Sequence, residues 1–298
     1  MNVVLTNLSS KKFEESRRRL NSSARAFGIR DIRSYDFEEI KRTPFYTQHR
    51  DILDQPTGMG YWLWKPYIVS ETLKSVDEGD IVIYCDSGIE IIADLSPLLA
   101  ICQERQSILL FGNANEISSM WTKRDCFILM ECDTEPYWKA PQCDAAFCLF
   151  RKSAESTRFV GEWLDYACDR RILTDQPNTC GKKNYPDFME HRRDQSILSL
   201  LAQRWKLDLH RMPTQFGNHY KMHSFRVEGE FNCVNQFAHN EQLSYYSILP
   251  YYNSPYFQLL DHHRKRLAQL GTDRAGIKKW IRRRLQKLGR LIRTGRYK

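Results

Sequence analysis

Residues 58–65, GMGYWLWK, bring three aromatic side chains, two glycines and a lysine together, and the run IVIYC that follows ends on Asp86. An ammonium and a carboxylate near the end of a buried strand can bind a phosphorylated ligand, because open α/β sheets take ligands in the crevice beyond the carboxyl ends of their strands. Lys65 lies between Trp64 and Pro66, just ahead of a predicted helix start, where backbone N–H groups and the helix dipole favour phosphate. The same lysine could instead lay its stem over the tryptophan rings and keep its ammonium in water. Tyr61, Trp62 and Trp64 could stack on a base or a sugar face, or simply pack. Two acids at positions i and i+2 beyond a strand end project to one side and can share a divalent ion. Here Gly88 stands at the second position and Glu90 follows four residues after Asp86. Mg²⁺ and Mn²⁺ take carboxylates together with phosphate oxygens and water. Asp86 therefore either shares such an ion with a distant ligand, or leaves the phosphate charge to cations such as Lys65. Its plainer reading is a turn cap, as Asp before Ser-Gly often is.

A second constellation is HRRDQS. Asp194 and Gln195 open a predicted helix, where an acid is favoured by the dipole. A carboxylate there could take a proton from an attacking hydroxyl or brace a bound sugar; the plainer alternative is an N-cap aspartate. QCDAAF adds Gln142 and Asp144 ahead of another buried strand, within reach of the same cleft. His219 and His223 have a helical metal-ligand spacing, but Gly217 and a weak periodic pattern argue against a helix there.

The elements that must position these groups follow from the hydrophobic pattern. Residues 3–5 suit a first strand, 13–27 a charged helix ending before Gly28, and DIRSYDF a second strand, a β-α-β opening typical of a parallel sheet. Residues 43–60 carry Pro44, Pro56, Gly58 and Gly60 and no clear period, which predicts a long functional loop. Pro66 fits the first turn of a helix running to about Val76. IVIYC is apolar on both faces, as expected of a central strand between helix layers. Residues 107–111 and 145–150 read as further strands. Helices are predicted over 153–168 and, after a turn-rich stretch at 169–186, over HRRDQSILSLLAQRW. The expectation is an α/β fold: a Rossmann-like, mostly parallel sheet with helices on both faces, filling residues 1–260.

At 298 residues and 42% hydrophobic content the chain can fill a large core. Nine cysteines without a C-x-x-C pair argue against a disulfide framework and a structural zinc site. The net charge of +9 is concentrated at one end: from Arg274 onward there are eleven Lys or Arg and no acid, so the first 273 residues carry −2. A nucleic-acid binder that used the Arg-rich end to neutralise phosphates would leave a near-neutral α/β body unexplained. Within residues 261–298, Ile277, Ile281, Leu285, Leu288 and Ile292 recur at helical spacing beside Trp280, with basic residues between them. This predicts an amphipathic helix suited to an anionic membrane surface; the alternative is a helix docked on the body with a solvated charged face. The opening MNVVLTNLSSKK lacks the apolar run of a secretory signal, and no stretch reaches the roughly 20 apolar residues of a membrane span. The expected location is cytoplasmic, peripheral on the inner face of the cell membrane.

Taken together, GYWLWKPY, the strand ending YCDSG, QCDAAFCLFRK and HRRDQSILSLL resemble bacterial capsule and O-antigen glycosyltransferases with the GT-A fold. These carry a G-Y-x-W-K-P segment before a D-x-G strand end and include galactofuranosyltransferases. A more distant likeness is to family-eight galactosyltransferases, whose D-Q-D segment opens a helix as Asp194-Gln195-Ser196 does. The resemblance covers about residues 1–250 and departs from the second family at Ser196 and Gly88, where its last acids would stand. It implies transfer of a sugar from a nucleotide sugar, with UDP as the expected nucleotide, to a hydroxyl of a lipid-linked surface glycan. Lys65, Trp64, Asp86, Gly88, Gln142 and Gln195 would then contact the donor, Asp86 would hold Mn²⁺ or Mg²⁺, and Asp194 or Asp144 would be the base if the reaction inverts. If it retains, Gln195 would sit beneath the anomeric carbon. The alternatives are a sugar nucleotidyltransferase, whose usual glycine-rich phosphate loop has no counterpart in LTNLSSKK, and a relative that binds glycan or nucleotide without catalysis.

Overall fold

In the computed structural model the described residues are 1–214, Gly217, Tyr256 and 258–262. The basic helix expected over 274–298, and His219 and His223, lie outside them. The strands are β1 Val3–Leu8, β2 Asp31–Tyr35, β3 Ile81–Cys85, β4 Ile89–Ile91, β5 Ile108–Ile117, β6 Pro141–Cys143, β7 Phe147–Arg151, β8 Leu209–Arg211 and β9 Leu260–His262. Among the described residues, five helices of nine residues or more are α1 Glu14–Ala26, α2 Trp64–Lys74, α3 Ser96–Glu104, α4 Ala154–Ala167 and α5 Asp194–Arg204.

Seven strands form one sheet in the order β2-β1-β3-β7-β5-β6, with β8 also paired to β5, while β4 and β9 form a separate antiparallel pair. β1 is parallel to both β2 and β3, and β8 is parallel to β5. β7 runs antiparallel between β3 and β5, so β5 shares the direction of β3. Five of the seven strands therefore point the same way, and the expected mostly parallel sheet is present with β6 and β7 reversed. Its carboxyl edge gathers the residues after β1, β2 and β3 together with the turn leading into β7.

β3 shows why the core has two halves. Val82 and Tyr84 face one side, where Ile68, Val69 and Leu73 of α2, Phe159 and Trp163 of α4, and Ile197, Leu200 and Leu201 of α5 pack. Ile81, Ile83 and Cys85 face the other, against Leu20 and Ala24 of α1 and Leu98 and Ile101 of α3. Alternate residues of a strand point to opposite faces, so a run that is apolar at every position requires cover on both, as the sequence implied. Ser153 caps α4 by accepting a hydrogen bond from the Ser156 N–H at 3.1 Å.

The stretch expected to be a long functional loop over residues 43–60 contains three short helical turns, Pro44–Gln48, Arg50–Leu53 and Gly58–Tyr61. Thr43 accepts the Tyr46 N–H at 3.2 Å and Pro44 takes the first helical position, a local start signal that outweighs the missing long-range period. The last turn is left-handed. Gly60 has φ +91°, and a Cβ there would lie 2.6 Å from Leu53 Cα, so the turn presses against its predecessor where no side chain fits.

Candidate functional site

Three segments far apart in sequence meet at the carboxyl end of β3. Lys65, the second residue of α2, is buried, and its Nζ lies 3.0 Å from Asp194 Oδ2, 3.5 Å from Asp86 Oδ1 and 3.0 Å from the Ala145 carbonyl, to which it donates. Of these three contacts the one to Ala145 O has hydrogen-bond geometry, and the two carboxylates meet the ammonium as ion pairs. Nζ also sits 5.1 Å from the centroid of the Tyr84 ring. Burial alone would lower the lysine pKa, but the carboxylates of Asp194 and Asp86 reverse that and hold it above its ordinary value, so Lys65 is a permanent cation here.

Asp86 follows β3 directly. Its N–H donates to Ala146 O at 2.8 Å, and its own carbonyl accepts from Ile89 N–H at 3.0 Å, closing the turn through Ser87 and Gly88. The carboxylate does more than cap: Oδ1 accepts the Tyr84 hydroxyl at 2.5 Å and faces Lys65, while the side chain stays 32% exposed. Burial and Asp86 together push the Tyr84 phenol well above its ordinary pKa, so it serves Asp86 only as a donor. Oδ1 is thus occupied twice and Oδ2 is left for a ligand. Glu90 takes no part, since it lies in β4 and pairs with Arg19 at 3.5 Å.

Asp194 is the first residue of α5, and the cap position before it belongs to Arg193. It is therefore not an N-cap aspartate. Its side chain is 5% exposed, and Oδ2 meets Lys65 without an angle suited to a hydrogen bond. Burial raises the Asp194 carboxyl pKa, opposed by Lys65. With the ammonium fixed at 3.0 Å, the physical balance is a buried ion pair that is readily protonated for an aspartate. Trp163 Nε1 donates to the Asp194 carbonyl at 3.1 Å and anchors the helix start in the core.

The other residues singled out from the sequence divide into those at this edge and those behind it. Asp144, in the turn between β6 and β7, accepts the Ala146 N–H at 3.0 Å and so shapes the turn that presents Ala145 O to Lys65. Gln142 is fully buried in β6, where its Nε2 donates to Ser118 Oγ at 3.1 Å and Thr122 Oγ1 at 3.2 Å. Gln195 reaches Gln142 Oε1 with its amide at 3.4 Å. Trp64 is buried and donates from Nε1 to Gly58 O at 3.0 Å, and the Trp62 ring lies against Gly58.

A feature the sequence reading missed lies one strand away. A cavity of about 510 Å³ opens beyond β1 and β2, lined by Ser9, Lys11, Asp36, Phe37 and Met59 among others. Because neighbouring strands are about 4.8 Å apart and β1 pairs with both β2 and β3, the cavity and Asp86 share one edge of the sheet. The acid that follows DIRSY was the available signal.

Fold and site together define an α/β domain with a net anionic carboxylate–ammonium cluster beside a cavity at the carboxyl edge of its sheet. No protein-family model and no curated protein matches the chain. Among solved structures it is similar to mouse xyloside xylosyltransferase 1 in its apo form, at 9% identity and TM-score 0.44 over 88% of this chain and 96% of that one. It is also similar to the bifunctional glycosyltransferase WbbM, at 12% identity and TM-score 0.48 over 89% of this chain and 46% of that one. A third similar structure is the galactosyltransferase LgtC in complex with donor and acceptor sugar analogs, at 10% identity and TM-score 0.38 over 88% and 87%. The chemistry open to this site follows from its own atoms.

Proposed function

We propose that the chain is a glycosyltransferase that moves a sugar from a nucleoside-diphosphate donor, UDP being the expected nucleotide, to a hydroxyl of a lipid-linked surface glycan such as a capsule or O-antigen precursor. The observation that carries this reading is the convergence of Lys65, Asp86 and Asp194 at the end of β3, next to a cavity of nucleoside size. In this reading the ribose hydroxyls meet Asp36, just after β2, as they meet acids at that position in other open α/β sheets, although its Oδ1 also accepts the Glu38 N–H at 3.0 Å, and Phe37 offers a ring to the base. The diphosphate then extends toward Asp86.

Lys65 is buried and paired with both carboxylates, so in this reading it holds them close together rather than meeting the donor phosphate. Asp86 Oδ2 would take one position of a Mn²⁺ or Mg²⁺ ion, phosphate oxygens and water supplying the rest, the usual share for a single carboxylate. Such an ion would neutralise charge developing on the leaving diphosphate. In transfer, the acceptor oxygen bonds to the anomeric carbon while the bond from that carbon to the phosphate oxygen breaks. The electron pair leaves with the nucleoside diphosphate, and the acceptor proton goes to a carboxylate. Asp194 suits that step, because burial lifts its pKa toward the operating range of a general base. Asp144 is the second choice, since one of its oxygens already accepts the Ala146 N–H.

The test is calorimetric titration of the full chain with UDP, with and without Mn²⁺, alongside the Asp36→Ala variant. UDP should bind, Mn²⁺ should strengthen it, and Asp36→Ala should weaken it about tenfold, the scale of one charge-assisted hydrogen bond. Failure of UDP to bind under either condition would reject the reading.

No helix among the described residues is long and apolar enough to cross a membrane. We assign the contact with the lipid-bearing acceptor to the basic segment 274–298, whose eleven cations and no acids suit an anionic inner leaflet. Deleting that segment should abolish co-sedimentation with vesicles containing phosphatidylserine and leave UDP binding intact. Undiminished sedimentation would remove the membrane role.

A further inference from the structure

Five consecutive residues, 58–62, have positive φ, at 57, 53, 91, 54 and 62°, although only Gly58 and Gly60 lack a side chain. Met59, Tyr61 and Trp62 crowd their own backbone in that region. Arg193 is strained too, with φ 56° and ψ −119°. Four of the six described non-glycine residues with positive φ thus belong to two segments, and those segments touch: the Arg193 guanidinium lies 5.4 Å from the centroid of the Trp62 ring. Backbone strain of this kind persists only where the surroundings over-determine it, and it gathers at functional sites.

The contacts show what holds it. Arg193 Nη2 is 2.6 Å from Asp175 and Nη1 is 3.5 Å from Glu190, with the side chain only 12% exposed. Nε is buried without a hydrogen-bond partner, which works against the arrangement. Both ends of the Lys65–Asp194 ion pair are tied to this clasp. Lys65 N–H donates to Trp62 O at 2.9 Å, and Asp194 directly follows Arg193. The φ of Arg193 sets the direction in which the chain enters α5, and so where the Asp194 carboxylate falls relative to Lys65.

We infer that Arg193, clamped on Trp62 by Asp175 and Glu190, is a positioning residue that sets the Lys65–Asp194 pair. Its effect on turnover rests on the transferase reading above. Two variants separate its parts: Arg193→Gly relieves the backbone and removes the guanidinium, whereas Arg193→Lys keeps the charge but loses the planar fork and the stacking face. Turnover of a nucleotide sugar should fall about 100-fold in Arg193→Gly, the scale of a misplacement near 1 Å, with KM nearly unchanged and a smaller fall in Arg193→Lys. Guanidinium chloride below denaturing concentrations should restore part of the Arg193→Gly loss, while sodium chloride should not. Crystal structures should show Asp194 displaced from its 3.0 Å contact with Lys65 in Arg193→Gly and returned when guanidinium occupies the gap.

Full turnover in both variants, or a lowered melting temperature with kcat unchanged, would overturn the inference. So would an Asp194 that stays in place in both crystal structures. If Arg193→Gly does not fold, Arg193→Lys decides by the same readouts. A wild type that turns over no nucleotide sugar would sink the transferase reading, and the crystallographic comparison would still decide the placement.

Discussion

Asp194→Asn should lower sugar transfer by about 10³-fold, within the range for loss of a general base, and leave UDP affinity within a few-fold of the parent. The cavity that would hold the nucleoside is lined by Ser9, Lys11, Asp36, Phe37 and Met59 among others, and Asp194 is not part of its lining. The amide keeps the shape of the carboxylate and can still accept from Lys65, but it cannot take a proton. Asp86→Asn differs in kind. Its carboxylate is the more open of the two, at 32% exposure against 5%, and is the one we propose for metal and diphosphate, so its loss should weaken Mn²⁺-dependent UDP binding as well as turnover. Steady-state kinetics and titration on the two variants separate the roles. Transfer by Asp194→Asn within about threefold of the parent, under half a kilocalorie in barrier, would take Asp194 out of the chemistry.

How much of this was legible in the sequence follows from how local each signal is. IVIYC gave β3 with its ends correct because a run of five apolar residues, three of them β-branched, requires burial on both faces. Pro66 placed α2, which begins at Trp64 and ends at Lys74. The apolar face of SILSLLAQRW placed α5. Directions were not legible: nothing in AAFCLF indicates that β7 runs against β3, because strand orientation is set by the crossovers. β5 extends six residues beyond the expected Phe111 through the polar GNANEI, whose pairing with β6 and β8 replaces any hydrophobic pattern. In the site, Lys65, Asp86 and Asp194 were each visible as candidates, but their meeting was not. Lys65 and Asp194 lie 3.0 Å apart in space and far apart in sequence. Lys65, read from its neighbours as a phosphate ligand, is buried and contacts Asp86 and Asp194, partners that only the folded chain brings to it. Gly58 and Gly60 signalled a loop, and nothing read from them gave its left-handed turn. Positive φ at Met59, Tyr61 and Trp62 is imposed by tertiary contacts, which a local reading of residue types does not contain.

Lys65→Met should be the most destabilising single substitution at this edge, at about 3–5 kcal/mol near neutral pH, because it leaves a buried carboxylate without its partner. Lys65 and Asp194 are both nearly inaccessible, so solvent screens their contact little; the Asp86 contact is a third exposed and contributes less. The loss has a definite pH signature. In the parent, the Lys65 pKa is raised above 10.5, so the stability it contributes is full below that pH and disappears as the pH climbs through the folded-state value. The Asp194 pKa is raised above 3.8, so the folded state holds its proton more tightly than the unfolded chain and ionising it on the way up in pH removes stability. Without the ammonium, nothing from Lys65 opposes the burial of that charge. The Asp194 pKa then rises further, and the carboxyl escapes the penalty by protonating. The deficit of Lys65→Met against the parent should therefore be largest at about pH 8 and shrink toward about pH 4, as unfolding in urea at a series of pH values would show. A deficit that does not change with pH would mean that the lysine stabilises the fold through its packed stem, and that the charge pairing with Asp194 does not set the energetics of this edge.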